Sequence, residues 1–257
     1  MKELTALFLG DVVGQSGVRA LFAGLGDLIK KQRADFVAVN GENAQAGFGI
    51  TPELALTFFS LGVNVITSGN HIWQKKEILP FLESREDILR PANYPAKAPG
   101  KGSTVVTVRG IPVGVINLQG RQDLPAINCP FQTGREVVRK MREQTRIILV
   151  DFHAEAPEEK EALGLYLDGS VSAVLGTHTH VQTSDDRILP KGSAYITDLG
   201  MCGPRDSVIG SHTGQAIQRA LTQMPLKIEV SENQGRLSGV VIRMDGETGR
   251  PLEFRRI

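Results

Sequence analysis

The chain has 257 residues, 41% of them hydrophobic and 22% charged, a balance that supports a full-sized apolar core and argues against a disordered or fibrous protein. Its formal net charge of +1 excludes a broad basic footprint for DNA, RNA or an anionic membrane surface. The two cysteines, Cys129 and Cys202, are far apart and form no Cys-x-x-Cys pair. They are expected to be reduced, buried thiols, and with no apolar stretch of about 18 residues the protein is expected to be cytoplasmic.

Read in chain order, short apolar runs alternate with amphipathic segments. Leu4 to Leu9 predicts a buried strand that stops at Gly10-Asp11. Val18 to Gln32 predicts a helix. Phe36 to Val39 predicts a second buried strand, ending in Asn40-Gly41-Glu42-Asn43. Thr51 as N-cap and Pro52 in the first turn predict a helix to about Leu61, stopped by Gly62. Val63 to Thr67 predicts a third strand, ending in Ser68-Gly69-Asn70-His71. Pro91 to Gly102, rich in Pro and Gly, is expected to be a surface loop. Thr104 to Val108 and Val113 to Asn117 predict a hairpin, with Gly110-Ile111-Pro112 between them. Thr133 and Glu136 have capping-box spacing ahead of a helix to about Gln144. Ile147 to Val150 predicts a strand ending in Asp151-Phe152-His153. A helix over Glu158 to Leu167 follows, then a strand over Val171 to Leu175 ending in Gly176-Thr177-His178-Thr179-His180. Runs near Ala194 to Thr197, Lys227 to Val230 and Gly239 to Arg243 also read as β. The pattern predicts an α/β protein with a mixed sheet, or two sheets packed between helices, and no internal repeat or linker divides residues 1–257.

Polar clusters recur where strands end: Asp11; Glu42 with Asn43; Asn70 with His71; His153; His178 with His180. In a largely parallel sheet such ends converge on one edge, where ligands bind. Four of the five histidines fall there; His212 does not. Each residue alone has an ordinary reading: Asp11 as a turn former, Glu42-Asn43 as a solvated turn, Asn70 in a left-handed turn, His153 as a core histidine. His178 and His180 say more, because alternate residues of an extended segment point the same way, about 7 Å apart. Five such ends together predict a metal site. A serine hydrolase and a dinucleotide-binding enzyme are disfavoured, since neither Gly-x-Ser-x-Gly nor Gly-x-Gly-x-x-Gly is present where it would have to be.

Gly69-Asn70-His71, the lone His153 and Gly176-Thr177-His178-Thr179-His180 resemble the signature of calcineurin-like metallophosphoesterases. The strings GDVVGQSG from Gly10, NGENAQAGFGIT from Asn40, TSGNHIW from Thr67, RPANYP from Arg90, DFHAEAPEEK from Asp151, GTHTHVQT from Gly176 and YITDLGMCGP from Tyr195 are similar to the bacterial YmdB-like subgroup. The resemblance runs from about Gly10 to Gly210. It departs from the wider family twice: Asp11 is followed by Val12 and Val13, not by the usual Asp-x-His, and Glu42 stands where a bridging aspartate is usual, with Asn43 in the place of the missing histidine. Both departures match the subgroup.

The resemblance implies a four-layer α/β/β/α sandwich of two mixed β-sheets flanked by helices, forming one domain over 1–257. It implies two transition-metal ions, iron first, with manganese or zinc as alternatives. One ion would take Asp11, Glu42, Asn43 and His180; the other Glu42, Asn70, His153 and His178, with Glu42 bridging. The implied reaction is phosphodiester hydrolysis, on 2′,3′-cyclic nucleotides, by in-line attack of a hydroxide shared by the ions with His71 as general acid. His71 as a structural prop of the metal cluster is its plainer reading. A phosphomonoesterase or nucleotidase using the same site, and a metal-binding regulatory protein acting through partners, are the alternatives. The expected partner is a small phosphodiester or nucleotide; no stable nucleic-acid binding and no membrane are expected, and a homo-oligomer is compatible with the sequence. Arg90, Asn93, Arg121 and Thr179 are further candidates for substrate contact.

Overall fold

The computed structural model describes residues 2–257. In chain order these form β1 (Glu3–Val13), α1 (Gly14–Gln32), β2 (Phe36–Asn43), α2 (Pro52–Ser60), β3 (Val65–Thr67), α3 (Ile78–Ser84), β4 (Ser103–Val108), β5 (Ile111–Gln119), α4 (Pro130–Met141), β6 (Ile147–His153), α5 (Pro157–Leu167), β7 (Ala173–Thr177), β8 (Arg187–Ile188), β9 (Ala194–Ile196), β10 (Met201–Pro204), α6 (Thr213–Thr222), β11 (Gly235–Arg236), β12 (Gly239–Asp245) and β13 (Pro251–Arg256). No helix among the described residues is long and apolar enough to cross a membrane.

Two mixed sheets result. In the first, β1 runs parallel to β2, and β2 parallel to β3. The other side of β1 is shared: Glu3 to Leu9 pair antiparallel with β12, and Asp11 and Val12 pair parallel with β10. In the second, the order is β4-β5-β6-β7-β9-β8, with β5, β6, β7 and β9 parallel and the edge strands antiparallel.

Alternation along the strands separates the layers. Leu4, Ala6 and Phe8 of β1, and Phe36 and Ala38 of β2, pack against Val113, Val115, Ile147, Leu149, Ala173 and Leu175 of the second sheet. The intervening Leu7, Leu9, Val37 and Val39 face Leu21 and Leu25 of α1 and Ala55 and Phe58 of α2. On the far side, Ile116, Leu118, Ile148 and Val150 meet Val138 and Met141 of α4 and Leu163 and Leu167 of α5. This is the predicted α/β/β/α order. Each fully buried Leu, Ile, Val or Phe contributes about 1.5–3 kcal/mol, so the alternation determines which face of each strand turns inward.

Local predictions hold with some corrections. Thr51 caps α2 as expected, its Oγ1 accepting from Leu54 N at 3.4 Å. Thr133 does not cap α4; that helix starts at Pro130, placing Thr133 inside its first turn, because proline suits the first helical position and ends the preceding extended segment. The hairpin turn is only Arg109-Gly110, with Ile111 and Pro112 already in β5. Both turn residues have positive φ (52° and 77°), the two-residue turn that matches strand twist. Lys227 to Val230 is not a strand; Val230 makes only an isolated bridge to Ser211, because the segment runs beside the Gly210 to His212 loop, bonding it through His212 N to Glu229 O and Ser231 N to Gly210 O. Of the two cysteines, Cys202 is buried and Cys129, just ahead of α4, only partly so. The Pro91 to Gly102 loop is not wholly superficial: Asn93 is buried, fixed to Gln119 and Asn128 through its side chain.

Candidate metal centre

Between the sheets the apolar layer gives way to polar residues at one edge without a break in alternation. Following Ala38 inward along β2 come Asn40 and Glu42; following Leu149 along β6 come Asp151 and His153; following Leu175 along β7 comes Thr177; following Val115 along β5 come Asn117 and Gln119. All are buried. Asp11 is the exception. Leu7 and Leu9 face the helices, so strict alternation would send Asp11 the same way. The β1–β2 register shifts on both sides of Asp11, and such an irregularity re-aims a side chain. Its carboxylate accepts from His178 N at 3.0 Å through Oδ2 and from Asn43 Nδ2 at 3.4 Å through Oδ1. Gly10 makes this path available: a Cβ there would stand 1.9 Å from Gly200 O.

The predicted residues meet at this edge. Glu42 Oε1 lies 3.5 Å from His153 Nε2 and 3.4 Å from His71 Nδ1, and it accepts from His71 N at 2.5 Å while Oε2 accepts from Gly69 N. Gly69 allows the close packing here, since a Cβ would fall 2.0 Å from His153 Cδ2. His180 Nε2 is 3.0 Å from Asn43 Nδ2 and 3.9 Å from Asp11 Oδ1. His71 Nδ1 is 2.9 Å from Asn43 Oδ1, and its ring lies edge-to-face with exposed Phe48 at 5.0 Å.

A floor of residues missed by the sequence reading orients this group. Thr177 Oγ1 donates to Asp151 Oδ1 at 2.7 Å, so it presents a lone pair to His153 Nδ1 at 3.0 Å. His153 then carries its proton on Nδ1 and leaves Nε2 bare. His178 Nε2 faces Glu155 Oε2 at 3.0 Å, an acceptor, which leaves its Nδ1 bare. These two bare nitrogens face each other at 3.0 Å. His180 donates Nδ1–H to Ile209 O at 2.8 Å, so its Nε2 is also bare. Asp151, held by Asn40 Nδ2 at 2.9 Å, Thr67 Oγ1 and Thr177, anchors the floor. The signal was present: Asp151 precedes His153 by two residues and shares its face.

Electrostatics point the same way. Burial above all raises the carboxyls of Asp11 and Glu42, and pushes Asp151 up to about 7. Burial lowers His153 and His178, and pulls His71, beside His178 and His180, down to about 4. Protonation of the facing His153 and His178 nitrogens to imidazolium is therefore disfavoured, and a cation between them would relieve their repulsion. Asn70 Oδ1 is buried without a hydrogen-bond partner, an oxygen available to the same cation. Counted on His, Cys, Asp and Glu alone, the described residues hold no group of three arranged to take an ion; a donor set here would need the amides of Asn43 and Asn70 as well. Nitrogen and oxygen donors without thiolate suit a first-row transition metal.

The remaining candidates separate. Arg90 is buried, its Nη1 and Nη2 donating to Pro91 O and Ala98 O while Nε has no partner, and Asn93 secures the loop. Arg121 lies just beyond β5 and lines a cavity of about 580 Å³ with Gln122, Phe131 and Glu158. Thr179 sits between the two ligand-type histidines and donates its N–H to Asp198 at 3.0 Å.

Two mixed sheets between helices, with this donor-rich edge, define a protein of the metallophosphoesterase fold. A solved phosphatase from Mycoplasma pneumoniae superposes with TM-score 0.93 at 37% identity, covering 100% of this chain and 93% of that one. A solved protein from Thermus thermophilus superposes with TM-score 0.91 at 37% identity, covering 99% of this chain and 98% of that one. The 2′,3′-cyclic-nucleotide 2′-phosphodiesterase of Bacillus subtilis (strain 168) is 46% identical over 251 residues, 98% of this chain and 95% of its own. The family model for YmdB-like proteins matches residues 7–257, and the chain belongs to that family.

Proposed function

We propose that this chain is a phosphoric ester hydrolase using two metal ions, a phosphodiesterase whose substrates are 2′,3′-cyclic nucleotides. The facing bare nitrogens of His153 and His178, beside the partnerless oxygen of Asn70, carry the metal reading. The 46% identical Bacillus relative, named for that activity, supports the substrate. Asp11, Glu42, Asn43 and His180 would hold one ion and Glu42, Asn70, His153 and His178 the other, iron being the first choice and manganese or zinc the alternatives. Bound there, the ions would acidify a water and neutralise phosphoryl oxygens.

Asn43 has a double part. Its Nδ2 faces Asp11 and His180, whereas a metal ligand must present oxygen. Turning the amide by 180° brings Oδ1 to that side and Nδ2 to His71 Nδ1. His71 would then accept at Nδ1 and keep its proton on Nε2, free to donate toward the leaving oxygen. Burial holds His71 neutral, and the negative charge of a bound phosphodiester opposes that effect.

Metal analysis after reconstitution, followed by a substrate panel, tests the reading. The expected result is two ions per chain and hydrolysis of bis-p-nitrophenyl phosphate and 2′,3′-cyclic nucleotides. One ion or none would overturn it. The Mycoplasma pneumoniae phosphatase likeness keeps a monoesterase as the runner-up, and monoester turnover without diester turnover would favour that reading. With both ions present, inactivity on both classes would instead favour a metal-binding regulatory protein.

A further inference from the structure

Outside the donor set, one buried ion pair has no part in the reading above. Lys160 of α5 is wholly buried, and its Nζ donates to Asp198 Oδ2 at 2.7 Å. Asp198 is equally buried. Its two oxygens reach two backbone turns: Oδ2 also accepts Thr179 N at 3.0 Å, and Oδ1 accepts Gly200 N at 2.9 Å.

Each turn leads to metal-binding residues. Thr179 lies between His178 and His180, whose φ values are 108° and 66°. Such backbone is strained for non-glycine residues and persists only where surroundings enforce it. Gly200, on the other side, accepts Asp11 N through its carbonyl at 3.2 Å, behind the bend that aims the Asp11 carboxylate inward. The packing leaves little slack. A Cβ at Gly176 would stand 1.7 Å from Thr197 O and 3.1 Å from Lys160 Cδ.

We infer that Lys160 and Asp198 are positioning residues, a buried charged brace that holds His178, His180 and Asp11 in metal-binding geometry from both sides; this rests on the metal reading above. The Asp198 carboxyl group accepts both backbone N–H groups, and Lys160 is the counterion packed against it in a dry interior. The ammonium is too far inside the fold to meet a substrate, so its effect passes through the histidine turn.

The test is Mn²⁺ binding, read from the electron paramagnetic resonance of free Mn²⁺, for wild type, Lys160→Met, Asp198→Asn and the double variant. The double variant removes both charges and leaves neither unpaired, so it keeps the test open if a single change prevents folding. Ile242→Ala, in the core between the sheets, supplies a comparable loss of Tm without touching the brace. The brace variants are expected to bind Mn²⁺ roughly 10–100-fold more weakly, while Ile242→Ala binds as wild type does. Wild-type affinity in the brace variants, or a loss no larger than in Ile242→Ala, overturns this inference alone. A wild-type chain that binds no Mn²⁺ overturns the metal reading and this inference with it.

Discussion

His153 Nε2 and His178 Nδ1 face each other at 3.0 Å, each left without a proton by the partner on the opposite side of its ring. For His153 that partner is Thr177, whose own proton is committed to Asp151. Thr177→Val keeps the shape and removes the acceptor. It is expected to weaken binding of the ion assigned to His153 roughly 10–100-fold and to leave the other ion largely in place. Titration calorimetry with Mn²⁺ should resolve one weakened class of site; two unchanged classes would disprove the orienting role.

Glu42 is the only carboxylate assigned to both ions. Glu42→Ala should remove both and abolish turnover, because it leaves two cations with less charge between them. Elemental analysis of the reconstituted variant is decisive: full occupancy with normal turnover would show that Glu42 does not bridge.

His71 is not needed to complete either donor set. His71→Ala is expected to retain both ions and lower kcat by roughly 10²–10⁴-fold on cyclic nucleotides. The loss should be smaller on bis-p-nitrophenyl phosphate, whose leaving group needs little protonation. Equal losses on both would point to phosphate positioning, and loss of metal would make His71 a prop.

The same residue yields a pH effect in chelator-treated protein. Its pKa of about 4 lies below the ordinary 6.5, so between these values the unfolded chain binds a proton that the folded one does not. Its contribution to stability is present above 6.5 and is lost as pH falls through about 4. Urea unfolding of wild type and His71→Gln should show the variant losing less stability on acidification across this window. Parallel curves would contradict the burial argument.

Gly69→Ala places a Cβ against the His153 ring, 2.0 Å from Cδ2. The buried imidazole must move, at a cost of about 1–3 kcal/mol for overpacking, and metal binding should fall with it. Tm and metal content together check this; a variant losing neither would show that the ring has room.

The sequence by itself determined the layers and most of the residues gathered at the polar edge. Two-residue alternation in β1, β2, β5, β6 and β7 carries its own inward face, and His153, Glu42 and Thr177 continue the parity set by Leu149, Ala38 and Leu175. Thr51-Pro52 marked its helix because a cap and its first turn are adjacent in the chain. Tertiary structure decided whatever depends on distant partners. Asp11 faces inward only through a register shift against β2, which no local pattern encodes. Lys227 to Val230 has strand-like residues but meets a loop, Gly210 to His212, instead of a strand. The amide of Asn43 meets His180, and Lys160 meets Asp198, only after α5 and the β-strands have packed. A buried charge is tolerable where the fold supplies its counterion, and that pairing is a property of the folded interior alone.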